Sequence, residues 1–352
     1  MAKYIEKGTN YAYTIERIKN IDFRSLRSIS VEFTKRLPLD LNEQVYDSIQ
    51  HGVCKLQSEP ELNMYFHALG LMHEAKLQHA FKHLSKDFAE NPTIDIIDYG
   101  CGQAIGTICY ADFLREIGKN QNVRRVILIE PSELALKRAA LHVSCFFPKA
   151  EIITILKGFD DLTTNDLIID ESIPTLHIFS NVIDLADDYF NLETFGNLIQ
   201  NCSIGENLYI CIEPYFYNEE QDEKVERFIK LLDIDVSYSE IFLKGDFVEG
   251  HEWTCQVVIG KSLVGAFDTE NSNPSINKSS FDLKIDKLII DGYKKLSHLK
   301  IKNVVVDKKD DCIRLAFTFS TSVRGFITED NGKTWKKSLV NTIYIPLFAV
   351  CN

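Results

Sequence analysis

Ile94-Asp-Ile-Ile-Asp-Tyr-Gly-Cys-Gly-Gln-Ala-Ile-Gly-Thr107 runs a β-branched, apolar segment straight into a turn of small residues. Ile94, Ile96 and Ile97 read as a strand buried on both faces, which is how parallel strands look in sequence. Past the turn, Ile105, Ile108, Cys109, Phe113, Leu114 and Ile117 recur at near-helical spacing, so a helix is expected to begin close to Ala104. Strand, glycine turn and helix form the first half of a nucleotide-binding βαβ unit.

The residue types in that turn set its chemistry. Gly100 and Gly102 lack a Cβ, which lets the backbone take positive φ and lets a ligand come close. The following helix offers unpaired N–H groups at its amino end. A second strand, Arg125-Val-Ile-Leu-Ile-Glu-Pro-Ser132, ends in an acid. A carboxylate there can accept hydrogen bonds from both hydroxyls of a ribose.

Asp98-Tyr-Gly100-Cys-Gly102-Gln-Ala104, followed by Glu130, resembles the signature of the class I S-adenosylmethionine (SAM)-dependent methyltransferases. The resemblance spans roughly residues 90–260. It implies an α/β fold with a Rossmann-like, seven-stranded, mostly parallel sheet, SAM as cofactor, and methyl transfer as activity. It further implies that Asp98 and the Gly100-Cys101-Gly102 backbone hold the amino-acid end of SAM and that Glu130 holds the ribose. In the same frame Asp160 and Asp161, after the third strand, are candidates to accept from the adenine amine, against a plain surface turn. Ala104 stands where the pattern has a third glycine.

A dinucleotide-binding oxidoreductase uses the same topology, and its fingerprint is Gly-x-Gly-x-x-Gly. Here the third glycine is Gly106, one residue too far, and Asp98 would repel a pyrophosphate. A glycine turn that binds nothing is the plainer competitor. Methyltransferase-type binding is preferred.

With 352 residues, the chain has room for a sizeable core and two domains, and its 45% apolar fraction is ordinary for a globular protein. No apolar run approaches the length of a membrane helix, so no membrane association and a cytoplasmic location are expected. Nine cysteines without a Cys-x-x-Cys pair read as reduced thiols, with no zinc ribbon or redox motif. The net charge of −12 is uneven: Asn271–Asn352 carries 14 Lys/Arg against 8 Asp/Glu, a balance of +6. Such asymmetry fits an anionic partner, nucleic acid in particular, and equally an ordinary lysine-rich surface.

The divisions expected are a helical cap over 1–90, the methyltransferase-like domain over 91–265, a polar linker over 266–280 and a small β-rich domain over 281–352. Residues 1–36 show little periodicity, 42–56 look helical, and Ser58-Glu-Pro-Glu61 has the spacing of a capping box. Met64–His73 is rich in aromatic, Met and His side chains, for which core packing is the preferred use and an acceptor pocket the alternative. His79 and His83 share a helix face but lack a third ligand, so they read as surface residues beside Lys76 and Lys82. The fourth strand ends in Ser180-Asn181-Val-Ile-Asp184. These residues sit where ligands of open α/β sheets bind, so Ser180, Asn181 and Asp184 are candidates to handle a methyl acceptor. Asn181 can accept from an amine or donate to a carbonyl, and Asp184 can act as a base; capping of the next turn is the competing use. Pro214-Tyr-Phe-Tyr217 is an aromatic run suited to stacking at the rim. Thr328–Trp335 resembles an Asp-box hairpin, present once.

No Asn-Pro-Pro-aromatic box follows the fourth strand, and no Pro-Cys nucleophile is present, which leaves the acceptor open. Three functions remain in play: a methyltransferase acting on nucleic acid or a ribonucleoprotein, a methyltransferase-like interaction protein without catalysis, and an NAD-linked oxidoreductase.

Overall fold

The computed structural model describes residues 3–215, 219–264, 301–309, 312–327 and 336–346. The chain divides into two compact units, Met1–Phe267 and Asp268–Asn352. The aromatic residues Phe216 and Tyr217, the linker over 266–280 and the Asp-box segment lie outside the described residues.

The first unit begins with helices α1 (Asn10–Ile15), α2 (Phe23–Lys35), α3 (Leu39–Ser48), α4 (Glu59–Lys82) and α5 (Lys86–Glu90). Then come β1 (Thr93–Tyr99), α6 (Ile105–Glu116), β2 (Asn122–Ile129), α7 (Glu133–Phe146), β3 (Glu151–Ile155) and β4 (Thr175–Ser180). The unit closes with α8 (Leu192–Cys202), β5 (Gly205–Pro214), α9 (Glu219–Leu231), β6 (Asp235–Phe242), a hairpin of β7 (Phe247–Val248) with β8 (His251–Glu252), and β9 (Cys255–Val264).

The sheet runs β3-β2-β1-β4-β5-β9-β6. Strands β1 to β5 pair in parallel, and β9 is antiparallel to both β5 and β6. This is the Rossmann-like, seven-stranded sheet that the methyltransferase resemblance implied. Only β9 runs antiparallel, because the chain passes β6 to the edge before returning between it and β5. That insertion also departs from the 3-2-1-4-5-6 order of dinucleotide-binding folds.

β1 lies inside the sheet between β2 and β4, and six of its seven residues are buried, as a strand covered on both faces must be. On one face Ile94 and Ile96 join the core made with α2, α4, α6 and α7. On the other, Ile97 and Tyr99 join the core under α8 and α9. The buried polar groups there are satisfied: Tyr99 Oη and Asn207 Oδ1 lie 3.1 Å and 3.0 Å from the two nitrogens of His177.

The amino-terminal helices correct the reading of residues 1–36 as aperiodic. In α2, Asp22 accepts from the Ser25 amide as N-cap, and Phe23, Leu26 and Ile29 fall on one buried face. The segment before α1 is tied down by Arg138 of α7, which is fully buried. Its guanidinium donates from Nε and Nη2 to the two Glu6 oxygens (2.8 and 3.0 Å) and from Nη1 to Asn63 Oδ1 (2.9 Å), with its carbon 3.6 Å from the Tyr11 ring centroid. The capping box of α4 forms as expected: Ser58 Oγ accepts from the Glu61 amide, and Glu61 Oε2 from the Ser58 amide.

In the second unit, β10 (Ile301–Lys309), β11 (Cys312–Ile327) and β12 (Lys336–Pro346) form an antiparallel sheet in that order. Strand β11 is one long strand, with a register irregularity between Thr318 and Val323. Among the described residues no helix is long and apolar enough to cross a membrane.

Candidate active site

The glycine turn leaves β1 with Gly100 at φ 60° and Gly102 at φ 52°, both left-handed. They answer to different needs. A Cβ on Gly100 would lie 2.6 Å from Val182 Cγ1 and 3.3 Å from Phe159 Cζ, whereas one on Gly102 would meet nothing within 4 Å. Gly102 therefore borders open space. Ala104 is also left-handed (φ 61°), so the turn keeps a glycine-like course without a third glycine.

Ala104 is the N-cap of α6 and has no side-chain oxygen to serve the helix. Asp98, 3% exposed, supplies it from β1: its Oδ2 accepts from Thr107 N (3.2 Å) and Thr107 Oγ1 (2.7 Å). Burial pushes its carboxyl up to about 7, with the Thr107 bonds pulling the other way. The acid assigned to the cofactor's amino-acid end thus has one oxygen committed to the helix.

Glu130 stands across the turn. Its Oε2 accepts from Gly102 N (3.0 Å) and its Oε1 from Ser132 N (2.8 Å), while burial raises its carboxyl to about 7. Cys101 is buried, and its thiol is pushed up by the same cause. Gln103 is fixed beneath α4, donating to Leu62 O at 2.9 Å, while its own carbonyl lies 2.8 Å from His142 Nδ1. Asp160 and Asp161 are exposed; Asp160 Oδ1 accepts from Asn191 N at 2.9 Å, at the start of α8.

Beyond β4, Ser180, Asn181 and Asp184 come together with residues of α4 and β5. Asn181 is left-handed at φ 55°. Its Nδ2 lies 2.7 Å from His73 Nδ1 and 3.3 Å from Ser180 Oγ, and Tyr65 Oη lies 3.0 Å from His73 Nε2. Burial drops His73 to about 3, which keeps the ring neutral. Glu213, at the end of β5, is 1% exposed and accepts through Oε2 from Val182 N (3.0 Å) and Asp184 N (3.3 Å). Burial and the neighbouring Asp184 carboxylate push Glu213 well above the usual range.

Met64–His73 divides by helix face: Met64 and Phe66 pack into cores, while Tyr65 and His73 join the site. Lys76, read as a surface neighbour, is 2% exposed; burial lowers it, while Cys255, Glu213 and Asp184 act in the opposite sense. His79 is also more enclosed than a surface reading allows. Its Nε2 lies 2.9 Å from Tyr238 Oη and 3.2 Å from Glu240 Oε2, and β6 covers it. Among the described residues, no group of three or more His, Cys, Asp or Glu side chains is placed to hold a metal ion. Glu213, Tyr65 and His73 carried no motif; the only signal was an acid ending the fifth strand and polar rings inside an apolar helix.

No family model and no curated protein matches the chain. Solved structures similar to it include the small RNA methyltransferase HEN1, at 16% identity and TM-score 0.38, covering 53% of this chain and 25% of that one. Another is geranyl diphosphate C-methyltransferase from Streptomyces coelicolor in complex with Mg2+, geranyl diphosphate and S-adenosyl-L-homocysteine, at 11% identity and TM-score 0.36, covering 59% of this chain and 85% of that one. A third is M. jannaschii TYW2 in complex with AdoMet, at 14% identity and TM-score 0.36, covering 56% and 78%. The fold is carried by the strand order, not by these likenesses.

Proposed function

We propose that this chain is a SAM-dependent methyltransferase whose cofactor lies over Gly100-Cys101-Gly102 and against Glu130. The observation that carries the reading is the Gly102 amide held on the Glu130 carboxylate beside a face where a Cβ would meet nothing. A backbone donor and an acid at the carboxyl ends of β1 and β2 suit an adenosyl ligand. Bound SAM would supply a methyl group already activated by its sulfonium. The chain then has to bind, align and exclude water. Glu130 would accept from the ribose hydroxyls, the turn would admit the cofactor backbone, and Asp160 or Asp161 would take the adenine amine. Ser180, Asn181 and Asp184 would face the acceptor.

Calorimetry with SAM and S-adenosylhomocysteine (SAH) tests this. Binding is expected to the natural chain and not to Gly102→Val, whose β-branched side chain would fill the open face. No binding at millimolar ligand, or binding that survives Gly102→Val, would overturn the placement.

A second reading, a methyltransferase-like interaction protein without catalysis, draws on the internal bonds of the two acids: Thr107 occupies Asp98 Oδ2, and Gly102 and Ser132 occupy Glu130. It predicts at most SAH binding, and no transfer. For the acceptor's carrier, the +6 balance of Asn271–Asn352 favours nucleic acid or a ribonucleoprotein.

A further inference from the structure

Asn181 occupies a left-handed backbone, which asparagine tolerates better than most residues. The side chain is oriented by its neighbours. With Nδ2 near both His73 Nδ1 and Ser180 Oγ, its two amide hydrogens are used, and Oδ1 is left buried without a donor. A buried acceptor left unpaired is costly, so it calls for a donor from elsewhere. Three residues on, the carboxyls of Asp184 and Glu213 hydrogen-bond to each other. Burial raises both carboxyls, and the contact between them raises Glu213 further while lowering Asp184, so Asp184 gives up its proton the more readily of the two. Asp184 is faced by Lys76 and Tyr65 from α4, Lys224 from α9 and Glu213 from β5.

The turn after β4 therefore presents two acceptors, Asn181 Oδ1 and the Asp184 carboxylate. A hydroxyl acceptor has one hydrogen and can serve only one of them; a carbon nucleophile serves neither. A nitrogen carrying two hydrogens serves both. Resting on the methyltransferase reading above, we propose that the methyl acceptor is an amine-type nitrogen. One of its N–H groups donates to Asn181 Oδ1, and Asp184 takes a proton from the other. In the step, the nitrogen lone pair forms the N–C bond to the methyl carbon. The S–C bonding pair stays on sulfur as the thioether of SAH, and the proton passes to Asp184. Asn181 and Asp184 are the catalytic residues. His73, Ser180 and Glu213 are positioning residues: the first two orient the amide, and Glu213 holds the turn through the Val182 and Asp184 amides.

Nitrogen NMR of His73 in the ligand-free full chain tests the orientation directly. Nδ1 is expected without a proton and Nε2 with one; a protonated Nδ1 would mean that the Asn181 carbonyl faces His73, and would overturn the proposal. Labelled-methyl transfer from SAM to cell extract then reads the acceptor, with the label expected on nitrogen after hydrolysis. Label on oxygen, carbon or sulfur, with SAH binding intact, overturns the nitrogen assignment alone. Failure to bind SAH, or binding without any transfer, overturns the methyltransferase reading with it. His73→Leu is expected to lower transfer by about 100-fold, the scale of a misplaced reacting group, and His73→Asn, which restores an acceptor, to recover most of it. Equal loss in both variants would remove His73 from the positioning role.

Discussion

Gly100 and Gly102 have nearly the same backbone, yet only one of them is crowded. Gly100→Ala must push a Cβ to within 2.6 Å of Val182 Cγ1 while holding φ at 60°, whereas Gly102→Ala faces only the backbone term. Left-handed strain costs about 1–2 kcal/mol and overpacking about 1–3 kcal/mol more. Urea unfolding should therefore show Gly100→Ala the less stable by roughly 1–3 kcal/mol; equal losses would contradict the packing described. Glu130 makes a prediction in pH. Burial raises its carboxyl from the ordinary 4.5 to about 7. The folded chain therefore holds the proton more tightly, and Glu130 costs stability as pH rises through that window. Measured against the natural chain, Glu130→Gln should gain stability between about pH 5 and pH 7.5. A difference that stays flat with pH would show that Glu130 is not shifted upward. The glycines and Glu130 were legible in sequence because the turn and the strand ends have fixed spacing. The commitment of Asp98 to Thr107 was not, because it arises from α6 lacking a capping side chain at Ala104.

The cap illustrates what elements owe to partners distant in sequence. Glu6 and Arg138 are 132 positions apart, and their bidentate contact anchors the segment before α1 to α7. Breaking a buried pair by removing one partner typically costs about 3–5 kcal/mol, because the other charge stays buried. Glu6→Ala should lose that amount in denaturant and expose the first helices to proteolysis; a loss under about 1 kcal/mol would place the pair among weak surface contacts. Ser58→Ala, which removes the side-chain half of the capping box, should cost about 1 kcal/mol by the same measurement. The start of α4 could be read directly, since a capping box is a local code. The face that α4 turns to the site could not. Tyr65 and His73 sit eight residues apart among apolar neighbours, and only the crossing of α4 over the ends of β4 and β5 makes one a partner of Asn181. Lys76 was misread for the same reason: lysine is rarely buried, and the acids that accompany it come from Asp184 and Glu213, far along the chain.

At the scale of the whole molecule, the uneven charge leads to a test of the nucleic-acid proposal. The full chain should bind RNA or DNA, with affinity falling as salt rises, and a chain ending at Phe267 should keep SAH binding while losing that affinity. Affinity indifferent to salt, or undiminished by the truncation, would remove the C-terminal unit from the role. The sequence by itself determined the βαβ core, the left-handed glycine turn, the acid at the end of β2 and most strand positions. Each of these follows from local conformational preference or from the period of apolar residues, which neighbours in sequence already fix. Tertiary structure alone decided that β9 inserts between β5 and β6, that Asp98 serves a helix, and that α4 delivers Tyr65 and His73 to Asn181. Those outcomes depend on strand order, on burial and on the pairing of polar groups, which for His73 and Asn181 spans 108 positions. No local pattern records which buried hydrogen-bonding group will meet which.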